Sequence, residues 1–343
     1  MAPRIVLVTG VSRFLGGHLA ARLAADPGIE RVLGVDTVPP SPSLQRRLGR
    51  TEFIRADIRN PLIAKVVTRA KVDTVVHASV TAHPGGPRSA VKEMNVIGTM
   101  QLLAACQKSP RVRKFVLKST SAVYGSSPRN PALFTEEMAP KDLPSSGFAK
   151  DAAEVEGYVR GFARRRPDVV VTALRFAGII GPHVDTPLTR YFAQPFVPTT
   201  LGYDQRLQLL HVEDALAVLE RATLHDLPGV FNAAADGVLM LSQAIRRAGR
   251  LPLPLPGPAV SPVRRLLQTI RLADFPPEQM RALDFGPVMD NGKLKQEFGF
   301  TPRWTTQQAF DDYVNGHGLP RLIDPELVAA AERAVLGTVA RLR

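Results

Sequence analysis

The stretch Ile5-Val-Leu-Val-Thr9-Gly10-Val-Ser-Arg13-Phe14-Leu15-Gly16 passes from an apolar run, through a glycine turn, into helical apolar spacing. The helical pattern continues to Ala25 and stops at Asp26-Pro27-Gly28. A short apolar run without polar alternation reads as a strand buried on both faces. Gly10 permits a tight turn, Gly16 lets helix and strand approach closely, and the free amides at the helix start offer a site for a pyrophosphate. Asp36 closes a second strand, Arg31 to Val35. A carboxylate there accepts hydrogen bonds from the ribose hydroxyls of a dinucleotide and repels a 2′-phosphate, which favours NAD. Arg13 occupies the position of a middle glycine. Turned outward, it leaves NAD in place; gripping a 2′-phosphate, it makes the cofactor NADP.

Working outward, strand patterns recur at Phe53-Ile54, Val72 to His77, Lys114 to Lys118 and Val169 to Leu174, with helical patterns over about Ala90–Gln107 and Asp151–Arg165. Strands alternating with helices specify an α/β fold, a doubly wound parallel sheet of the Rossmann kind with helices on both faces. Beyond Arg175 the alternation breaks down. Pro182 to Pro198 is rich in turn residues, and Leu251 to Pro262 carries proline at almost every second position, so both read as irregular. The expected organisation is a dinucleotide-binding domain over 1–175, to which 206–233 returns. Residues 176–205 and 234–323 form a smaller substrate lobe, and 324–343 an amphipathic helix carrying Val328, Ala331, Val335, Val339 and Leu342 on one face.

The 343 residues are 45% hydrophobic and 22% charged, ordinary globular usage that argues against disorder. No apolar run is long enough for a membrane span, and Met1-Ala-Pro-Arg4 leads into a strand without a signal-peptide layout. The single cysteine, Cys106, excludes an internal disulfide framework and fits a reducing cytoplasm. The net charge of +13 suits an anionic substrate. Basic residues are spread out, with Arg164-Arg165-Arg166 as one tight cluster, and no zinc-finger spacing or aromatic-rich RNA-binding motif accompanies them. The expectation is no nucleic acid and no bound metal.

Several ordered motifs resemble the extended short-chain dehydrogenase/reductase family, which holds NAD-dependent nucleotide-sugar epimerases and dehydratases. They are Thr9-Gly10 with Phe14-Leu15-Gly16, Asp57-Ile58-Arg59, Val75-Val76-His77-Ala78, Asn95-Val96 with Gly98-Thr99, Ser119-Thr120 with Tyr124-Gly125, Leu174-Arg175-Phe176, Leu209-Leu210-His211 with Asp214, and Phe298-Gly299-Phe300 with Pro302. The opening turn and the Leu207-Gln208-Leu-Leu-His211 segment are similar to an actinobacterial subgroup labelled UDP-glucose 4-epimerase. The resemblance implies an anionic small-molecule substrate, a nucleotide sugar. Asp57 and Ile58 would lie by the adenine, His77 and Ala78 beside the pyrophosphate and nicotinamide, and Thr120 at the catalytic Ser/Thr position. It also implies a homodimer through the helices at 90–107 and 151–165.

The catalytic pattern departs from the family. A Tyr-x-x-x-Lys pair is expected on the helix after the active-site strand, its lysine holding the nicotinamide ribose and its phenolate exchanging a proton with substrate. Lys150 fits the lysine, but Ser146 stands at the tyrosine position and Gly178 where an asparagine often holds the substrate diphosphate. An aliphatic hydroxyl is far less acidic than a phenol. The usual tyrosine mechanism is therefore not expected, and His83, His183 or a water would supply the base. Tyr124 reads as packing or substrate contact, Arg175 as diphosphate contact or a brace at the lobe junction, and Arg206 as a phosphate contact. The alternative is a nucleotide-binding sensor or scaffold without turnover.

Overall fold

The computed structural model describes residues 3–82, 88–127, 129–139, 147–255 and 286–319. Its centre is a sheet of seven parallel strands: β1 (Ile5–Thr9), β2 (Arg31–Asp36), β3 (Glu52–Arg55), β4 (Thr74–His77), β5 (Lys114–Thr120), β6 (Val170–Phe176) and, later in the chain, Gly229–Ala233. The spatial order is Gly229–Ala233, β6, β5, β4, β1, β2, β3. The chain thus moves outward from β1 to β3, crosses back and builds the other half from β4. The reversal between β1 and β4 opens a crevice at the carboxyl ends of the strands, where Rossmann folds bind their ligands.

Alternation along each strand sends residues to two cores. Val6, Val8, Val32, Val76 and Val116 join Leu19 and Leu23 on one face, while Leu7, Leu33, Val75, Phe115 and Leu117 join Leu102, Val155 and Phe162 on the other. Both faces being covered, the strands read as continuous apolar runs. The covering helices are α1 (Phe14–Ala25), α2 (Pro42–Arg47), α3 (Ile63–Arg69), α4 (Arg88–Lys92), α5 (Gly98–Lys108), α6 (Gly147–Arg165), α7 (Pro187–Ala193) and α8 (Val212–Leu224). Between α4 and α5 the helix widens into a π-turn, Glu93–Ile97.

After β6 the strands are short: β7 (Gly178–Ile180), β8 (Phe196–Thr200), β9 (Arg206–Leu207) and β10 (Leu209–His211). They precede the seventh sheet strand, β11 (Gly229–Ala233), and are followed by β12 (Leu239–Met240) and β13 (Leu251–Leu255). With α9 (Leu241–Arg247) they surround a third core of Ile180, Tyr191, Phe192, Leu209, Ile245, Phe310 and Tyr313, while α10 (Gly292–Gln296) packs Leu294 into the first core beside β11 and α11 (Thr306–Gly316) closes the third.

The structure corrects the expectation of irregular chain at Leu251: Leu251–Leu255 pairs in parallel with β8, and α7 lies within the turn-rich 182–198 stretch. β8 and β13 form a two-stranded sheet, so each has a free edge. Pro252 and Pro254 are tolerated because a strand with a free edge need not donate every amide to a ladder. The amphipathic 324–343 segment lies outside the described residues.

Arg166, part of the basic cluster, is turned inward. Its guanidinium donates to the carbonyls of Cys106 (2.9 Å), Ser109 (3.2 Å) and Val112 (3.1 Å), closing the C-terminal end of α5. Cys106 beneath it is fully buried, and burial pushes its thiol up to about 12. Since the thiolate is the reactive form, native protein is expected to resist an aromatic disulfide reagent and to release one equivalent of chromophore only after denaturation. Rapid modification of folded protein would contradict this placement.

Candidate functional site

The turn between β1 and α1 is held from both sides. Gly10 adopts φ +73°, donates its amide to the Val35 carbonyl (2.9 Å) and accepts from the Arg13 amide (3.0 Å). A Cβ on Gly10 would sit 2.9 Å from the Ser79 Cα, and one on Gly16 would sit 2.3 Å from the Gly10 oxygen. Helix α1 starts with Arg13 at its N-cap, with no capping side chain and no acidic residue in its first turn. Among the described residues the amides of Phe14, Leu15 and Gly16 have no protein acceptor. Three such donors at a helix start are a built site for a phosphate oxygen.

Beside them stands Asp36 at the end of β2. Its Oδ2 accepts from the Ser12 amide (3.1 Å) and its Oδ1 from the Thr37 amide (2.8 Å). These bonds aim the carboxylate at the helix start, where its remaining lone pairs suit ribose hydroxyls. Arg13 is half-buried. Burial lowers its pKa, and the charge of Asp36 partly offsets that. Asp57, expected beside the adenine, is already paired: Arg59 donates to it through Nε (3.0 Å) and Nη2 (2.6 Å), and these bonds hold the carboxyl below its usual range. Ile58 is buried, and a Cβ on Gly98 would meet its Cδ1 at 2.8 Å, so its side chain belongs to the core. Ala78 is buried just past β4.

The floor of the crevice is a chain of hydroxyls around His77, which is fully buried. Thr99 donates its hydroxyl to the Asn95 carbonyl, so toward His77 Nε2 (2.8 Å) it can only accept. His77 therefore carries its proton on Nε2, and its Nδ1 faces the hydroxyls of Thr9 (2.8 Å) and Ser79 (3.3 Å), which are themselves joined at 3.2 Å. Burial, then the charge of Lys118, brings the ring down to about 3, and it stays neutral at physiological pH. Both ring nitrogens being engaged, His77 acts as a brace; the expected direct contact with a cofactor is corrected to a supporting one. Asn95, in the π-turn, bonds both the amide (3.1 Å) and the carbonyl (2.9 Å) of Thr81, fixing the exit of β4.

Thr120 ends β5. Its Oγ1 accepts from the Ala122 amide (3.3 Å) to cap the 3-10 turn Ser121–Tyr124, and its hydroxyl proton has no acceptor among the described residues. Lys150 lies on the first turn of α6, half-buried, and makes no hydrogen bond or ion pair to a described residue. The next residue, fully buried Asp151, takes a two-pronged bond from Arg88 (2.6 and 2.7 Å) that locks the start of α6 against α4. Ser146 and His83 lie outside the described residues. His183 follows β7 in the Gly181-Pro182 turn and is exposed.

Tyr124 and Arg175, each read as either an internal contact or a substrate contact, are internal. Arg175 and Glu156 are buried and joined through Nε–Oε1 (3.1 Å) and Nη2–Oε2 (2.7 Å). The third nitrogen, Nη1, donates to Tyr124 Oη (2.8 Å) and the Glu136 carbonyl (3.1 Å). Tyr124 is buried and donates to Asn232 Oδ1 (2.7 Å). With every guanidinium nitrogen engaged, Arg175 takes the second of its two expected roles, a brace, here between β5, β6, α6 and β11. Arg206 on β9 is exposed, with Nη1 on the Ala132 carbonyl (3.0 Å) and the rest of its donors toward solvent.

Sequence reasoning missed Lys118. It lies two residues before Thr120 on β5, so the two side chains share a face of the strand. Its Nζ donates to the Val80 carbonyl (3.0 Å), and burial, then the nearby Arg13 guanidinium, brings it down to about 8. A signal was present, since a lysine directly after the apolar run Phe115–Leu117 and before the Ser119-Thr120 motif breaks the pattern of a doubly covered strand.

The sequence pattern of the NAD dependent epimerase/dehydratase family matches residues 6–234. An uncharacterized protein of Mycobacterium tuberculosis is 53% identical over 99% of this chain and 91% of its own length. Among solved structures, the UDP-glucose 4-epimerase of Thermotoga maritima with UDP-glucose matches with a TM-score of 0.70 at 18% identity, over 91% of this chain and 98% of that one. The UDP-glucose 4-epimerase of Thermus thermophilus with NAD matches with a TM-score of 0.69 at 22% identity, over 92% and 99%. At these identities the structural likeness is one of fold. The chain belongs to the NAD dependent epimerase/dehydratase family.

Proposed function

We propose that the chain binds NAD along the carboxyl edge of the sheet and acts there on a nucleotide-linked sugar or similar anionic substrate, without a tyrosinate base. The observation that carries this reading is a row of groups left open at one edge. The row comprises the three first-turn amides of α1, the oriented Asp36 carboxylate, and the Thr120 hydroxyl proton and Lys150 ammonium, which have no acceptor or ion-pair partner among the described residues. In this assignment the amides of Phe14, Leu15 and Gly16 with Arg13 hold the pyrophosphate, Asp36 the adenine-side ribose, and Lys150 the nicotinamide ribose. The bound nicotinamide supplies hydride transfer. Thr120 donates its hydroxyl proton to the substrate oxygen, polarising it, and His83 or a water takes the proton that a tyrosinate would have taken. Arg206 meets the substrate diphosphate, and residues 176–205 and 234–323 wall the substrate side. Ile97, Met100 and Tyr158, exposed on the helices around α5 and α6, support a homodimer through those faces. NADP is the alternative cofactor, with Arg13 on the 2′-phosphate.

The experiment is absorbance at the reduced nicotinamide band with a panel of UDP-sugars, together with affinities for NAD and NADP. Turnover is expected, and Lys150→Ala is expected to lower it by about 100-fold or more, in the range that removal of an acid–base or positioning group commonly costs. Cofactor binding with no turnover and no hydride exchange from labelled sugar would favour a second reading, a dinucleotide-binding sensor or scaffold. Two observations support that reading: Ser146 at the tyrosine position, and Arg13 in the phosphate turn.

A further inference from the structure

A dinucleotide that starts with its ribose on Asp36 at β2 and rests its pyrophosphate on α1 above β1 has its other end over β4 and β5. β5 lies three strand spacings from β2, about 14 Å. The nicotinamide half of the crevice is therefore the half that contains Lys118 and Thr120.

The charges there are lopsided. Lys118 spends one of its three donors on the Val80 carbonyl, and neither it nor Arg13 forms an ion pair with a described residue. The groups that Lys118 feels are the Arg13 guanidinium, another cation, and His77, which is neutral. Asp36 is the carboxylate in range of Arg13 and is turned toward the adenine-side position. On the nicotinamide side the crevice thus presents an ammonium without a counter-charge among the described residues. The oxidised nicotinamide ring carries a positive charge and the reduced ring carries none, while the rest of the dinucleotide is the same.

We infer that Lys118 makes this crevice hold the reduced nicotinamide dinucleotide more tightly than the oxidised one, so that the site is selective for cofactor redox state. The inference rests on the dinucleotide reading of the crevice. It assigns a binding role to a lysine on the active-site strand itself, separate from the ribose role of Lys150. Like charges a few ångströms apart in a half-buried site repel, and so favour the uncharged, reduced ring by about tenfold or more. Each tenfold preference raises the potential of the bound couple by about 30 mV, making the bound oxidised form a stronger oxidant of an alcohol.

The test is equilibrium binding of NAD and NADH at pH 7, by calorimetry and nicotinamide fluorescence, to the wild-type chain and to Lys118→Met, which keeps the length of the stem and removes the charge. The wild type is expected to prefer NADH by about tenfold. Lys118→Met is expected to erase most of that preference, mainly by tightening NAD. Thr120→Val, on the same face without a change of charge, is expected to leave the ratio intact. A wild-type preference that Lys118→Met leaves unchanged, or equal affinities in the wild type, overturns the inference while the dinucleotide reading stands. Binding of neither form overturns both.

Discussion

Glu156→Ala is expected to destabilise the protein by about 3–5 kcal/mol, the usual cost of stranding one member of a buried ion pair. Glu156 is the sole carboxylate partner of Arg175 among the described residues, and both are almost fully buried. Removing it leaves the guanidinium with only Tyr124 Oη and a backbone carbonyl, and deprives the Ser119 hydroxyl of its acceptor. The measurement is the urea midpoint at unchanged slope. Replacing both partners, Glu156→Leu with Arg175→Met, should recover much of the loss, because a buried pair contributes little net stability over apolar groups of similar volume. A single-variant loss below about 1 kcal/mol would mean that the pair is solvated and carries no brace.

The second large effect is at Gly16. On an exposed helix, alanine in place of glycine gains roughly 1 kcal/mol. At Gly16 the sign reverses, because the new Cβ would lie 2.3 Å from the Gly10 oxygen, a backbone atom that cannot swing aside. Helix α1 must move away from the turn, taking the amides of Phe14 and Leu15 with it. Gly16→Ala is expected to cost about 1–3 kcal/mol of stability and, through misplaced phosphate donors, about 100-fold or more in dinucleotide affinity. Gly157→Ala on α6 is the control: nothing lies within 4 Å of its added Cβ, so the propensity gain should appear undiminished. Unchanged dinucleotide affinity in Gly16→Ala would place the cofactor elsewhere.

What was legible in the sequence was local. The strand–turn–helix, Asp36 and the alternation to Leu174 follow from apolar period and from glycine, both set by neighbours along the chain. What was not legible depends on who meets whom across the sheet. Arg175 reads equally as a phosphate contact or a brace until β5, α6 and β11 bring Glu156 and Tyr124 to its three nitrogens. His77 reads as a cofactor contact until Thr9 and Thr99, on different elements, take both ring nitrogens. Lys118 reads as the end of a strand, yet the strand continues to Thr120 and brings the two onto one face. The prolines of Leu251–Leu255 mask a strand because their missing donors matter only where a neighbour needs them.

Asn232, the fourth of the five residues of β11, has a further consequence for how the chain assembles. Its side-chain amide donates to the carbonyl of Phe134, 98 residues away, and to that of Asp290, 58 residues away, while its oxygen accepts from Tyr124. No local contact can satisfy this buried side chain, and two long loops must close before any of its bonds is repaid. The seventh strand is thereby tied to the arrival of chain from both directions. The sheet edge at β11, beside the Arg175 brace on β6, is therefore expected to form after the crevice half built on β1 and β2, with Asn232→Ala speeding unfolding more than it slows folding.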